Sequence, residues 1–234
     1  MTLPVIHRVT TLDLALRPRP WPFAEQRRAE IEAYFAAKRT VTPELWNGRI
    51  LLGCNPAFTG DRFSAAYFEA DFASFLAWRD WGFPDQGVFN GFGMGALRCR
   101  DGAFVLGEMG PHTANGGRIY FPSGTPDPND IRDGAVDIPG SVAREVEEET
   151  GLTSVDYRPG ADWSCVVSGA AIAMIRILHV DASGEALRAR IEANLKAQHQ
   201  PELSAIHLVR DTSDLTAATP LYVAAFIEAH LAVR

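Results

Sequence analysis

Long apolar runs are missing from this sequence. The longest, Cys165 to Ile175, is interrupted by Ser168 and Gly169 and followed by Arg176. It falls well short of the roughly 20 residues that a membrane-spanning helix needs. A charged-then-apolar leader is missing at the N-terminus as well, so the expectation is a cytoplasmic chain with no membrane partner. Cysteine is scarce: Cys54, Cys99 and Cys165 lie far apart, with no C-x-x-C pair and no paired histidine spacing. That disfavours a thiol-ligated metal and predicts buried or half-buried free thiols. Positive charge is in deficit, with a net charge of −7 and a pI near 5.4. Such a balance argues against strong nucleic-acid binding through the overall field. It does not exclude an anionic small molecule, because a bound cation reverses the local sign. Repeats and low-complexity segments are absent too. What is present, 47% apolar and 22% charged residues over 234 positions, suffices for one large packed domain or for a domain with an extension.

Read along the chain, residues 1–20 end in Arg-Pro-Arg-Pro and suggest a lead-in arm. Phe23 to Arg39 carries Ile31, Tyr34 and Phe35 at helical spacing, which predicts an amphipathic helix. Arg49–Cys54 and Arg62–Phe68 read as strands joined by an Asn-Pro-Ala-Phe-Thr-Gly turn, and Phe72–Trp81 as a short helix. Gly82-Phe83-Pro84-Asp85 breaks the chain. It sets a domain boundary: an N-terminal extension over residues 1–85 and a main domain over 86–234. Trp78, Trp81, Phe83 and Phe89 cluster at that boundary and are expected in core packing or a dimer contact rather than in base stacking. Beyond it, Val88–Cys99 and Ala103–Gly107 form a predicted hairpin around Arg100-Asp101-Gly102. A helix is predicted over residues 138–150, capped by Asp137 with Pro139 in its first turn. Strands are predicted near Leu152–Tyr157, Ser164–Val180 and Ala205–Val209, and helices over Gly184–Gln198 and Pro220–Val233. Irregular alternation of this kind predicts an α+β fold rather than a regular parallel array. Gly91-Phe-Gly93-Met-Gly95 has the wrong spacing for a dinucleotide fingerprint, and alternating glycines in a strand predict close backbone packing.

The most informative run is Arg-Glu-Val-Glu-Glu-Glu-Thr-Gly-Leu at residues 144–152. On a helix, Glu145, Glu148 and Glu149 share an arc of about 100°. Like charges at this spacing destabilise a helix. A hard divalent cation removes the conflict, because Mg²⁺ prefers carboxylate oxygens. Gly151 then supplies a left-handed stop, and Leu152 begins an apolar run.

This run resembles the second half of the Nudix hydrolase signature, G-x5-E-x7-R-E-U-x-E-E-x-G-U, with U a bulky aliphatic residue. Arg144, Glu145, Val146, Glu148, Glu149, Gly151 and Leu152 all match. Tyr120-Phe121-Pro122-Ser123-Gly124 is similar to the family's entry to that signature. Gly124 takes the first glycine position and Asp130 stands where the first glutamate belongs. Residues 131–143 then form a spacer of thirteen rather than seven, an insertion of six before the helix, where extra loop length costs little. The resemblance spans residues 88–234. It implies a Nudix-type α/β/α sandwich with a mixed sheet, and Mg²⁺ (with Mn²⁺ as a substitute) held by Glu145, Glu148 and Glu149. It also implies a catalytic part for Glu145 or Glu202 on the attacking water, Arg144 fixing a neighbouring glutamate, and the Ser123 carbonyl near the metal. His112 and Arg118, in the loop before the entry, are candidates for touching phosphate or base, beside Ser123, Gly124 and Asp130 on the substrate side. Val146 and Leu152 should be core. The implied reaction is pyrophosphohydrolysis of a nucleoside diphosphate derivative, most nearly a nucleotide sugar, with the N-terminal extension building a homodimer. The rival expectation is a Nudix-fold module without effective turnover that binds a nucleotide ligand or a partner protein.

Overall fold

Leu12, Leu14 and Leu16 take every second position, with Thr11, Asp13 and the small Ala15 between, and alternation builds strands. In the computed structural model, which describes residues 3–232, the expected lead-in arm is accordingly two strands, β1 (Val5–Val9) and β2 (Thr11–Leu16). Pro18 and Pro20, which suggested an arm, both fall beyond the end of β2. The single helix expected next is two, α1 (Pro22–Gln26) and α2 (Arg28–Val41), because Arg27 leaves helical geometry at φ −109° and ψ 20°. Strands β3 (Arg49–Thr59) and β4 (Arg62–Asp71) are longer than expected. The Asn-Pro stretch is not a turn: the register slips between Cys54 and Ala57, and Asn55 adopts φ 53°. A bulge tolerates both a left-handed Asn and a proline without an N–H. The turn itself falls at Gly60-Asp61, where Gly60 has φ 58°.

Helix α3 (Phe72–Asp80), capped by Asp71, leads to β5 (Val88–Cys99) and β6 (Phe104–Met109). Two short strands follow, β7 (Ile119–Tyr120) and β8 (Ser123–Gly124). The spacer before the acidic helix is not a plain loop. It makes a 3-10 turn at Pro128–Asp130 and then a miniature hairpin, β9 (Ile131–Arg132) and β10 (Ala135–Val136). Asp133 and Gly134 turn it at φ 50° and 77°, the Asp-Gly chemistry of a tight hairpin. β10 pairs with β2 through Ala135 and Ala15, and the Leu16 N–H donates to the Gly134 carbonyl at 2.8 Å. After α4 (Ile138–Thr150), residues 152–157 form a turn where a strand was expected. The Asp156 carboxylate accepts from the Thr153 N–H at 2.9 Å and closes the backbone on itself. β11 (Arg158–Ser168), β12 (Ala171–Val180), α5 (Gly184–Ala197), β13 (Leu203–Val209) and α6 (Leu221–Leu231) complete the chain.

Among the described residues the strands form one mixed sheet of thirteen, running β1-β11-β12-β5-β3-β4-β2-β10-β9, with β6, β7, β8 and β13 attached off that path. This is the α+β, mixed-sheet class expected from the sequence. β5 is the spine. One edge pairs in parallel with the whole of β12, from Asn90 opposite Ala171 to Cys99 opposite Val180. Its other edge is shared by three partners: β3 at Val88 and Phe89, β8 at Gly93 and Met94, and β6 at Leu97 and Arg98. Side chains alternate faces along a strand. Phe92 meets Tyr222 of α6 edge-on at 5.7 Å, whereas Gly93 and Gly95 receive Ile138, Val142 and Val146 of α4. α4 and α6 therefore cover opposite faces of β5.

The larger buried cluster draws on both halves of the chain, from Val9, Leu14 and Tyr67 to Val146, Leu152 and Phe226. A second cluster lies within residues 21–88 and packs α1, α2 and α3 on β3 and β4 around Trp21, Phe68 and Trp78. Trp78 and Phe89 are buried, and Phe83 meets Trp78 edge-on at 4.8 Å, so core packing accounts for most of the boundary aromatics. All three cysteines are buried free thiols. Among the described residues no helix is long and apolar enough to cross a membrane.

Candidate functional site

α4 is placed by its ends and by one face. The Asp137 carboxylate accepts from the Gly140 N–H at 3.0 Å, Pro139 sits in the first turn, and Gly151 closes the helix at φ 72°. Ile138, Val142 and Val146 press directly onto Gly93 and Gly95, where any Cβ would overlap them. The alternating glycines of β5 thus bring the helix a side-chain layer closer to the strand. Val146 and Leu152 are fully buried, as expected.

With that face fixed, Glu145 points towards β8. A Cβ on residue 124 would overlap the Glu145 carboxylate, so only glycine lets it lie against this backbone. Glu149 is 4% exposed and accepts from the Ser123 N–H at 3.3 Å. Glu148 lies outermost, its side chain 59% exposed. Arg144 holds the array together: its Nη1 donates to Glu145 at 2.8 Å and to Glu148 at 3.4 Å, and its Nη2 to Asp130 at 3.1 Å. Asp130 is 4% exposed and also accepts from the Ser141 hydroxyl at 3.2 Å and the Asp127 N–H at 3.0 Å. This aspartate, counted from the sequence among substrate-side residues, sits beneath the helix as the anchor of Arg144.

Two of these carboxylates are reluctant to ionise. Burial pushes Glu145 up to about 7; the charges of Glu148 and Glu202 add to the effect and Arg144 opposes it. Glu149 is held well above the ordinary range by burial first and by the Glu145 charge second, with the Ser123 N–H hydrogen bond opposing. Glu145 and Glu148 thus share a single guanidinium, which Asp130 also claims. Hard oxygen donors in excess of local positive charge are the donor set that Mg²⁺ or Mn²⁺ takes, so the residues fit a divalent cation chemically. In the arrangement present, no group of three or more His, Cys, Asp or Glu side chains among the described residues is disposed to hold a metal ion.

A cavity of about 700 Å³ opens beside these carboxylates. Ser123, Gly124, Glu145, His112 and Glu202 line it, which brings together five sequence-selected residues from three separate parts of the chain. Gly110 makes room for the His112 ring and donates its N–H to the Glu202 carbonyl at 2.6 Å, so loop and strand entrance hold each other. Glu148, Glu149, Asp130, Arg144 and Arg118 do not line the cavity. Sequence reasoning missed the other wall, which the N-terminal half supplies: Glu44, Trp46, Ile50, Phe72, Phe75 and Arg79. Trp46 is 80% exposed although its ring lies close against Gly48. No local signal marks these residues, because they reach the cavity only through the sheet.

No protein-family model matches the chain, and no curated protein matches it. Among solved structures it is similar to a Nudix hydrolase from M. smegmatis, RenU, with 13% identity, a TM-score of 0.41, and coverage of 64% of this chain and 93% of that one. It is also similar to a MutT protein from Methanosarcina mazei Go1, with 19% identity, a TM-score of 0.39, and coverage of 61% and 92%.

Proposed function

We propose that the chain is a Nudix-type pyrophosphohydrolase that splits the diphosphate linkage of a nucleoside diphosphate derivative, with a nucleotide sugar as the substrate class. One observation carries this reading: Glu145 lies half-buried against Gly124 at the wall of a large cavity, with the buried Glu149 one turn further along the helix and Glu202 on the same cavity. A partly buried, mutually repelling carboxylate array is costly to a fold and has a use when it binds a divalent cation.

Glu145, Glu148 and Glu149 would hold that cation. When bound it would neutralise diphosphate oxygens and make phosphorus accessible to water. Glu202, which shares the cavity, takes the proton of the attacking water. The water oxygen bonds to phosphorus, the bridging P–O bond breaks, and the two products each leave with one phosphate. Arg144, fixed from below by Asp130, keeps Glu145 in place through the 2.8 Å bond. Trp46 offers an exposed aromatic face at the other wall, suited to a nucleobase. A homodimer built through residues 1–85 and a cytoplasmic setting belong to the same proposal.

A second reading, a nucleotide-binding module without turnover, is favoured by the engagement of both Glu145 and Glu148 with Arg144. The experiment that separates them is product release from a panel of nucleoside-diphosphate compounds with and without Mg²⁺, run beside Glu148→Gln. Glu148 is exposed, so the variant should fold normally. Mg²⁺-dependent cleavage, lowered at least about 100-fold in the variant, supports the hydrolase. Parent-rate cleavage by the variant refutes the metal helix, and silence of the parent across the panel refutes the hydrolase.

A further inference from the structure

The cavity lining holds three glutamates, Glu44, Glu145 and Glu202, and one arginine, Arg79. A diphosphate compound brings two phosphates to this place. The carboxylate array with its cation accounts for one of them, and the other needs positive charge elsewhere.

Arg79 sits in the last turn of α3, far from the acidic helix in sequence, with its side chain 29% exposed. Its Nε donates to Asp80 at 2.9 Å and its Nη1 to the Asn115 side-chain oxygen at 3.4 Å, while the guanidinium lies 6.0 Å from the Phe75 ring centroid. Nη2 makes no hydrogen bond among the described residues. Asp80 is itself tied down by the Tyr34 hydroxyl and by Lys38 at 2.9 Å. On the other side, the Asn115 amide donates to the Tyr120 hydroxyl at 3.2 Å, and Tyr120 lies within electrostatic range of Glu149 and Glu202. A continuous chain, Asp80–Arg79–Asn115–Tyr120, therefore runs from the N-terminal helices to the carboxylate end of the cavity. The bland alternative is an ion pair between adjacent residues, which contributes little. It leaves unexplained why a guanidinium already paired with Asp80 is also held by a neutral amide across the cavity wall. Fixing the planar fork in advance lowers the entropy lost when it grips an anion.

We propose that Arg79 is an anion-contacting residue of the substrate site and takes the diphosphate's second phosphate, the one away from the carboxylate array. The inference rests on the hydrolase reading for its ligand class, but its test does not need turnover. Inorganic pyrophosphate and Mg²⁺ are titrated separately into the parent, Arg79→Gln and Arg79→Lys, and melting temperature and calorimetric affinity are read. The expected result is pyrophosphate binding weakened at least about tenfold by Arg79→Gln, which is about 1.4 kcal/mol. Arg79→Lys keeps the charge without the fork and should fall between, and it serves alone where the Gln variant does not fold. The Mg²⁺-induced rise in melting temperature should survive in both variants, an outcome that general damage to the fold would not produce.

Pyrophosphate affinity unchanged in Arg79→Gln overturns the inference, and so does a parent that binds no pyrophosphate. Arg79-dependent pyrophosphate binding in a parent that neither responds to Mg²⁺ nor hydrolyses the panel overturns the hydrolase reading and leaves the anion site standing. With a cleaved substrate in hand, the Arg79→Gln loss should fall mainly on KM.

Discussion

Replacing Glu145 by Gln should stabilise the metal-free protein above neutral pH while removing its activity. Unfolded, the Glu145 carboxyl loses its proton near 4.5; folded, it does so near 7. Below pH 4.5 the proton is present in both states and the carboxyl's contribution to stability is complete. Between 4.5 and 7 the folded state keeps a proton that the unfolded state has lost, so stability falls as pH rises. By pH 8 that contribution is gone. At 1.36 kcal/mol for each tenfold change in proton affinity, the ionised carboxylate costs the fold about 3 kcal/mol. Glutamine keeps the shape and the bond from Arg144 without the charge. Glu145→Gln should therefore melt several degrees above the parent at pH 8 in EDTA, since each kcal/mol moves a domain of this size by about 2–4 °C. Near pH 4.5 the difference should vanish. Saturating Mg²⁺ should shrink or reverse it at pH 8, because only the parent offers a full ligand set. Thermal denaturation at four pH values, with EDTA and with Mg²⁺, measures all of this. A variant less stable than the parent at pH 8 in EDTA, or a difference independent of pH, would refute the electrostatic account.

Two further substitutions probe the supports of the same carboxylate. Gly124→Ala places a methyl on the Glu145 carboxylate; kcat should fall about 10- to 100-fold through misplacement alone, with unfolding free energy changed by less than about 1 kcal/mol, and parent-level turnover would show that the contact is not needed. Asp130→Asn removes the buried anchor of Arg144 and should lower urea-unfolding stability by about 2–3 kcal/mol. A loss below about 1 kcal/mol would mean that Arg144 finds equivalent partners elsewhere.

The site-bearing helix was legible because every signal at residues 137–152 is local: an aspartate cap, a proline in the first turn, helical spacing and a left-handed glycine. The glycines at 93 and 95 were also readable as close-packing positions, though not what they pack against. What could not be read depends on partners far away in sequence. Residues 5–16 are weak strands whose identity comes from β11 and β4. The spacer hairpin exists because β2 offers it an edge. Asp130 looked like a substrate residue because spacing gives position along the chain and not depth; only packing shows that it lies under Arg144. Arg79 and Trp46 carry no motif at all, and the cavity wall they form is a product of tertiary structure.

The pairing of β1 with β11 also constrains the order in which the molecule can be made. Val5 finds its place opposite Val167, so β1 has no partner until some 160 residues later in synthesis. Contacts closed over such a span come late and slowly, and an unpaired strand invites association with other chains in the interval. β2 waits as well, for β4 on one side and for the spacer hairpin on the other. The acidic helix follows that hairpin directly, so its entry is secured only once β2, more than a hundred residues upstream, has docked.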